Sequence, residues 1–139
     1  MSSTADAEGA RPRRAVVAGH GEFASGLVSA VAQICGREAV LIPLSNSGLA
    51  GDDLEATLRA ELDVPGTDVI FTDLPAGSWT IAARRVVRER PGIILVTGVN
   101  LATLLDFVFH GELAASEAAR HAVEKGRASI GIPGAPRGG

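Results

Sequence analysis

His20 lies between Gly19 and Gly21, where the apolar run Ala15 to Ala18 stops. A neutral imidazole is a nucleophile near neutral pH, and its two nitrogens can divide the work. One attacks, while the other is held by an acceptor that fixes the tautomer and stabilises the charge developing on the ring. Asp73 follows the apolar stretch D-V-I-F-T and is an acceptor of that type. If the electrophile is a phosphoryl group, its oxygens need donors. The amides after Gly21 open a helical pattern, and a helix start binds anions. Ser78 and the amides of 74–78 would add more, with glycines at 19, 21 and 77 allowing close approach of the backbone. Phosphoryl transfer rests on positioning and charge stabilisation, so such a site needs no cofactor. The chain shows no carboxylate cluster for Mg²⁺ and no Cys/His set at metal-ligand spacing, so no metal is expected. These features favour passing a phosphoryl group between carriers over using a nucleotide directly.

Each residue also has a plainer reading. His20 could be a structural histidine in a turn, and Asp73 a turn aspartate before Pro75. Ser78 could cap the helix that follows, which is compatible with facing a site. Gly19, Gly21 and Ala24 also fit G-x-G-x-x-G/A, the dinucleotide fingerprint. That reading needs an acidic ribose partner about 20 residues on, and the stretch A-V-L-I-P-L-S has none. Glu22 would repel a pyrophosphate, and no G-x-x-x-x-G-K-S/T occurs.

The elements that must carry these residues alternate. Short apolar runs are expected as buried parallel strands at Ala15 to Ala18, Ala39 to Pro43, Asp68 to Thr72 and Ile93 to Thr97. Helical spacing appears at Phe23, Leu27, Ala30, Val31 and Ile34, stopped by Gly36, and at Leu54, Leu58 and Leu62 after a cap at Asp52 or Asp53. Further helices are expected over Trp79 to Arg90, from Asn100 through Phe109, and over about Ala114 to Gly126. Ser129 to Ile132 could form a short terminal strand. Strand alternating with helix predicts an α/β fold, a doubly wound and mainly parallel sheet with helices on both faces. Order 2-1-3-4 puts the switch point between strands one and three, where His20 and Asp73 would converge.

The 139 residues fit one domain, expected over 14–132, with an N-terminal arm at 1–13 and a Pro/Gly-rich tail at 133–139. A formal net charge of −3 gives no general attraction to nucleic acid or to an anionic membrane. Met1 to Arg14 lacks the apolar centre of a secretory signal. A single cysteine, Cys35, permits no internal disulfide, fits a reducing cytoplasmic setting, and reads as a small core residue. The basic sets Arg11, Arg13 and Arg14, and Arg84, Arg85, Arg88 and Arg90, read as solvated faces, as do His110 and His121.

Four segments together resemble the mannose-type IIA domain of the bacterial phosphoenolpyruvate:sugar phosphotransferase system, the branch serving mannose, fructose, sorbose or N-acetylgalactosamine. They are V-V-A-G-H-G-E-F-A-S-G-L, V-I-F-T-D-L-P-A-G-S, V-T-G-V-N-L-A-T-L-L and A-V-E-K-G-R-A-S-I. The resemblance implies that His20 is transiently phosphorylated, that Asp73 orients its ring and that Ser78 lies by the phosphoryl group. It implies a histidine phosphocarrier protein as donor and a IIB domain of a sugar permease as acceptor, with the membrane met only through that permease. It also implies a homodimer in which the segment around Ala128 to Ile132 crosses to the partner's sheet. A regulatory phospho-histidine module, or a phosphocarrier feeding a dihydroxyacetone kinase, is the alternative role. The family loop runs D-x-x-G-G-S/T-P, whereas here it reads D-L-P-A-G-S-W. Ala76 is therefore expected to reshape the loop, because a side chain disfavours positive φ. Trp79 is either core packing or an exposed docking residue.

Overall fold

The computed structural model describes residues 13–134. Four parallel strands form one sheet: β1 (Arg14–Gly19), β2 (Leu41–Ser45), β3 (Thr67–Thr72) and β4 (Ile94–Val96), in the order β2-β1-β3-β4. The helices are α1 (Phe23–Cys35), α2 (Gly51–Leu62), α3 (Ser78–Glu89), α4 (Leu101–Phe109) and α5 (Ala115–Ala128). The doubly wound sheet expected from the sequence, with its switch between β1 and β3, is present.

The two faces of the sheet follow from strand alternation. Ala15 and Val17 of β1, with Val69 and Phe71 of β3, face α1, α4 and α5. Val16 and Ala18, with Ile70, face α2 and α3. All seven side chains are fully buried, so the central strands read as continuous apolar runs. Phe71 meets Phe107 edge-to-face at 5.0 Å on the first side. Leu54, Leu58 and Leu62 of α2 pack with Trp79 and Val86 of α3 on the second.

Several boundaries differ from expectation. Glu38–Val40 forms a single 3₁₀ turn, so β2 starts at Leu41 instead of Ala39. Ala50, not Asp52 or Asp53, caps α2; Asp53 instead reaches back to accept from the Ala50 amide at 3.4 Å. Ile34 is exposed, and Val28 and Cys35 take the place on the core face of α1 that the spacing assigned to it. α1 does end at Gly36, whose φ of 69° is left-handed. The short C-terminal edge strand is absent from this chain's sheet: Ser129 caps α5, and Ile130 and Ile132 follow as exposed coil. Most of the expected arm and tail lies outside the described residues. Arg13, however, is anchored: its guanidinium donates to the carbonyls of His110 and Leu113 and stacks over Phe107. Arg14 pairs with Glu61 at 3.0 Å and donates to Thr67. This pair is therefore part of the scaffold and not a solvated face.

Candidate active site

Parallel pairing sets Ala18 of β1 beside Thr72 of β3, and Gly19 beside Ser45 of β2. The residues just beyond these pairs emerge together at the carboxyl edge of the sheet. His20 and Asp73 meet there. Nδ1 of His20 lies 2.8 Å from Oδ2 of Asp73, and the His20 backbone N–H donates to the same oxygen at 2.9 Å. The ring is thus held twice, through its own nitrogen and through the backbone that carries it. Asp73 is largely enclosed, with its side chain 10 % exposed, whereas the His20 side chain is 49 % exposed. Burial pushes the Asp73 carboxyl up, but the hydrogen bonds from the His20 ring and amide and the nearby imidazole charge outweigh it. The net effect holds the group below its ordinary value. A carboxylate that accepts at Nδ1 places the ring proton there and leaves the Nε2 lone pair free.

The loop after β3 closes one side of the ring. Gly77 adopts φ of 119°, and a Cβ placed there would stand 3.5 Å from His20 Cε1. Only glycine takes this conformation without strain, and it brings the start of α3 against the imidazole. Gly21, at φ of 53°, turns the chain from His20 into α1 on the other side. Ser78 is the first residue of α3 and accepts a hydrogen bond from Nδ2 of Asn46 at 3.4 Å. Gly77, the N-cap of α3, stands against the imidazole, and the helix start that follows it presents free amide donors of the kind that suit an anion.

Beneath the loop, Thr72 and Thr80 share a buried hydrogen bond at 2.7 Å, and Thr80 donates to the Leu74 carbonyl at 2.6 Å. These contacts clamp the loop to the end of β3. Ala76 does not need a positive φ: no non-glycine residue has one among the described residues. The expected reshaping at Ala76 is not required, because Gly77 alone makes the left-handed step. Trp79 is wholly buried between α3 and the sheet, which removes the docking alternative.

Of the residues the sequence singled out, His20 and Asp73 pair directly and Gly77 stands against the His20 ring, while Gly21 and Ser78 follow His20 and Gly77 in the chain. Asn46, Thr72 and Thr80 were missed. Asn46 had a signal: β2 neighbours β1, so the loop after it must also open at this edge. Thr72 and Thr80, eight residues apart across a loop, had none. Outside this site, Arg85 pairs with Glu55 and Arg90 with Asp63, so only part of the arginine set faces solvent alone. His110 is half-buried and His121 exposed, as surface residues should be, and both gather around Asp106.

Comparison with known proteins agrees with this geometry. Residues 14–124 match the family model described as the PTS system fructose IIA component. No curated protein matches the chain. Among solved structures, phosphotransferase system component EIIA from Streptococcus agalactiae superposes with a TM-score of 0.79 at 18% identity, over 86% of this chain and 95% of that one. The mannose/sorbose specific IIA subunit from Enterococcus faecalis gives 0.77 at 20% identity, over 91% and 98%. A putative phosphoenolpyruvate-dependent sugar phosphotransferase system permease from Klebsiella pneumoniae gives 0.74 at 25% identity, over 87% and 90%. With a family match across most of its length and the matching sheet order, this chain belongs to the IIA component family of the phosphotransferase system.

Proposed function

We propose that the protein is a phosphocarrier that accepts a phosphoryl group on Nε2 of His20 from a histidine phosphocarrier protein and passes it to a IIB domain of a sugar permease. The observation that carries this reading is the 2.8 Å contact between Nδ1 of His20 and Asp73, with the opposite side of the ring open to solvent. In the forward step the Nε2 lone pair forms a bond to phosphorus as the P–N bond of the donor's phosphohistidine breaks. The electron pair of that bond returns to the donor imidazole. Nδ1–H of His20 stays hydrogen-bonded to Asp73, whose negative charge offsets the positive charge that develops on the ring. The amides at the start of α3 and the Ser78 hydroxyl hold the phosphoryl oxygens. The return step onto the IIB domain is the same exchange reversed, so no metal or cofactor is consumed.

The exposed Ile130 and Ile132 support the homodimer the sequence implies, with this segment completing a partner's sheet. A chain ending at Ala128 would then run as a monomer in sizing chromatography with light scattering, and the full chain as a dimer.

The phosphoryl assignment is tested by incubation with labelled phosphoenolpyruvate and the general phosphotransfer proteins. The expected product carries acid-labile, base-stable label that His20→Ala abolishes. Label retained in His20→Ala would overturn it.

A further inference from the structure

On the face of the molecule built by α4 and α5, Asp106, His110 and His121 point their side chains at a common space. One ligand atom from each lies within 4.8 Å of the others. Asp106 and His110 stand four apart at the end of α4, and so share a face. His121 comes from the middle of α5. Nδ1 of His121 lies 2.7 Å from Oδ2 of Asp106, and Nδ1 of His110 lies 3.6 Å from the same oxygen. The two ring centroids lie 4.3 Å apart, with the rings tilted 45° to each other. We propose that these three side chains form a site for a divalent transition-metal ion of the zinc class, bridging α4 and α5.

The donor set carries this assignment. Two imidazoles and one carboxylate are ligands that zinc takes readily, with water filling a fourth position. In a tetrahedral site with bonds of about 2.0–2.1 Å, ligand atoms stand about 3.4 Å apart. The observed 2.7 and 3.6 Å separations bracket that value, so small side-chain rotations suffice. The Asp106 side chain is 8 % exposed, and among the described residues it forms a salt bridge with no lysine or arginine. A nearly buried carboxylate facing two imidazoles has no permanent cation to offset its charge, and a bound ion supplies one. The exposed rim of the cluster, at His121, leaves a path for entry and for the water ligand.

Binding balances simply. In the metal-free chain Nδ1–H of His121 donates to Asp106 and Nδ1–H of His110 to the Asp106 carbonyl, so for Nδ1 to ligate each ring must lose that proton to solvent and take one up at Nε2; each ring stays neutral and the metal takes the place of the lost hydrogen. The His110 ring, whose Nδ1 contacts the Asp106 carbonyl at 2.8 Å, is already held against its own helix. The effect would be a clamp between α4 and α5. The far ends of these helices are already tied, Nδ2 of Asn100 donating to Gly126 at 2.9 Å and to Ser129 at 3.2 Å. The metal would close the opposite end.

Calorimetric titration of the metal-free full chain with Zn²⁺ tests the site, alongside His110→Gln, His121→Gln and His20→Ala. One ion per chain is expected. Affinity should fall at least about tenfold in either glutamine variant and stay unchanged in His20→Ala. The unfolding temperature of the unaltered chain should rise with Zn²⁺ and return on chelation, a readout that needs no variant to fold. His121→Gln should accept label on His20 at the full rate. Absence of zinc uptake by the full chain, undiminished uptake by the glutamine variants, or uptake lost in His20→Ala would each overturn the proposal.

Discussion

The molecule contains two histidine–aspartate pairs of nearly equal length, at 2.8 Å between His20 and Asp73 and 2.7 Å between His121 and Asp106. The pair alone does not decide the chemistry; its surroundings do. His20 sits at the switch point of the sheet, with the glycine-bearing loop and the start of α3 against one side and solvent on the other. Asp73 accepts at Nδ1, and the start of α3 beyond Gly77 offers free amides, which suit a phosphoryl anion. His121 lies on α5 facing α4, with a second imidazole tilted beside it and the Asp106 carboxylate against it, a donor set suited to a cation. The first environment suits the proposed phosphoryl oxygens on the ring, and the second suits the proposed cation shared between rings. The first pair also gains a second bond, from the His20 amide, which fixes the backbone as well as the ring. His121 has no such tether in its pairing with Asp106, and that leaves the ring free to rotate onto a metal.

The comparison breaks most sharply at the histidines. His20→Ala should abolish phosphoryl acceptance, and His121→Ala should leave it intact, both measured by label incorporation. Asp73→Asn comes next. It keeps the shape but weakens the hold on the tautomer, so transfer should slow by about 10²-fold in rapid-quench kinetics. An unchanged rate would remove Asp73 from the mechanism. Asp106→Asn should have no effect on the same rate.

Gly77→Ala is a smaller perturbation. A side chain at φ of 119° is strained by about 1–3 kcal/mol, although its Cβ would meet the His20 ring only at an ordinary contact of 3.5 Å. Reduced stability in denaturant titration and a several-fold slower transfer are expected together. The pH dependence of Asp73 is subtler. Its carboxyl is held below its ordinary value by the hydrogen bonds from His20, so the folded state binds fewer protons there than the unfolded chain. The stability this provides is present above that value and is lost as pH falls through the lowered pKa. Below about pH 4, the unfolding free energy of Asp73→Asn should therefore fall less steeply with acid than that of the unaltered chain. Ala76→Gly should change least, with stability lower by about 0.4–1 kcal/mol and transfer unaltered, since Gly77 already makes the left-handed turn.

Much of the phosphoryl site was legible because its residues are local punctuation. A histidine between glycines at a strand end, and an aspartate ending the next central strand, become neighbours once the order 2-1-3-4 is accepted. The start of α4 was legible for the same reason, as Asn100 shows by capping it through the Thr103 amide at 3.0 Å, whereas the cap expected at Asp52 or Asp53 falls on Ala50. What the sequence hid was set by contact across elements. Trp79 replaces the family's proline, yet its position one residue into α3 turns it toward Leu54 and Leu58, and no local pattern says so. Asp106, His110 and His121 gave no signal either. The last is separated from the first by a turn and half a helix, and only the packing angle of α4 on α5 joins them. Ser129 to Ile132 has β-type composition, but it leaves α5 as exposed coil and pairs with no strand of the sheet among the described residues.

The most direct test of the central claim is the position of the phosphoryl group on the His20 ring, read by nitrogen and phosphorus NMR of the phosphorylated, isotope-labelled protein. Because Asp73 holds Nδ1, the phosphoryl group should appear on Nε2, with Nδ1 still protonated. A phosphoryl group on Nδ1, or on any residue other than His20, would contradict it.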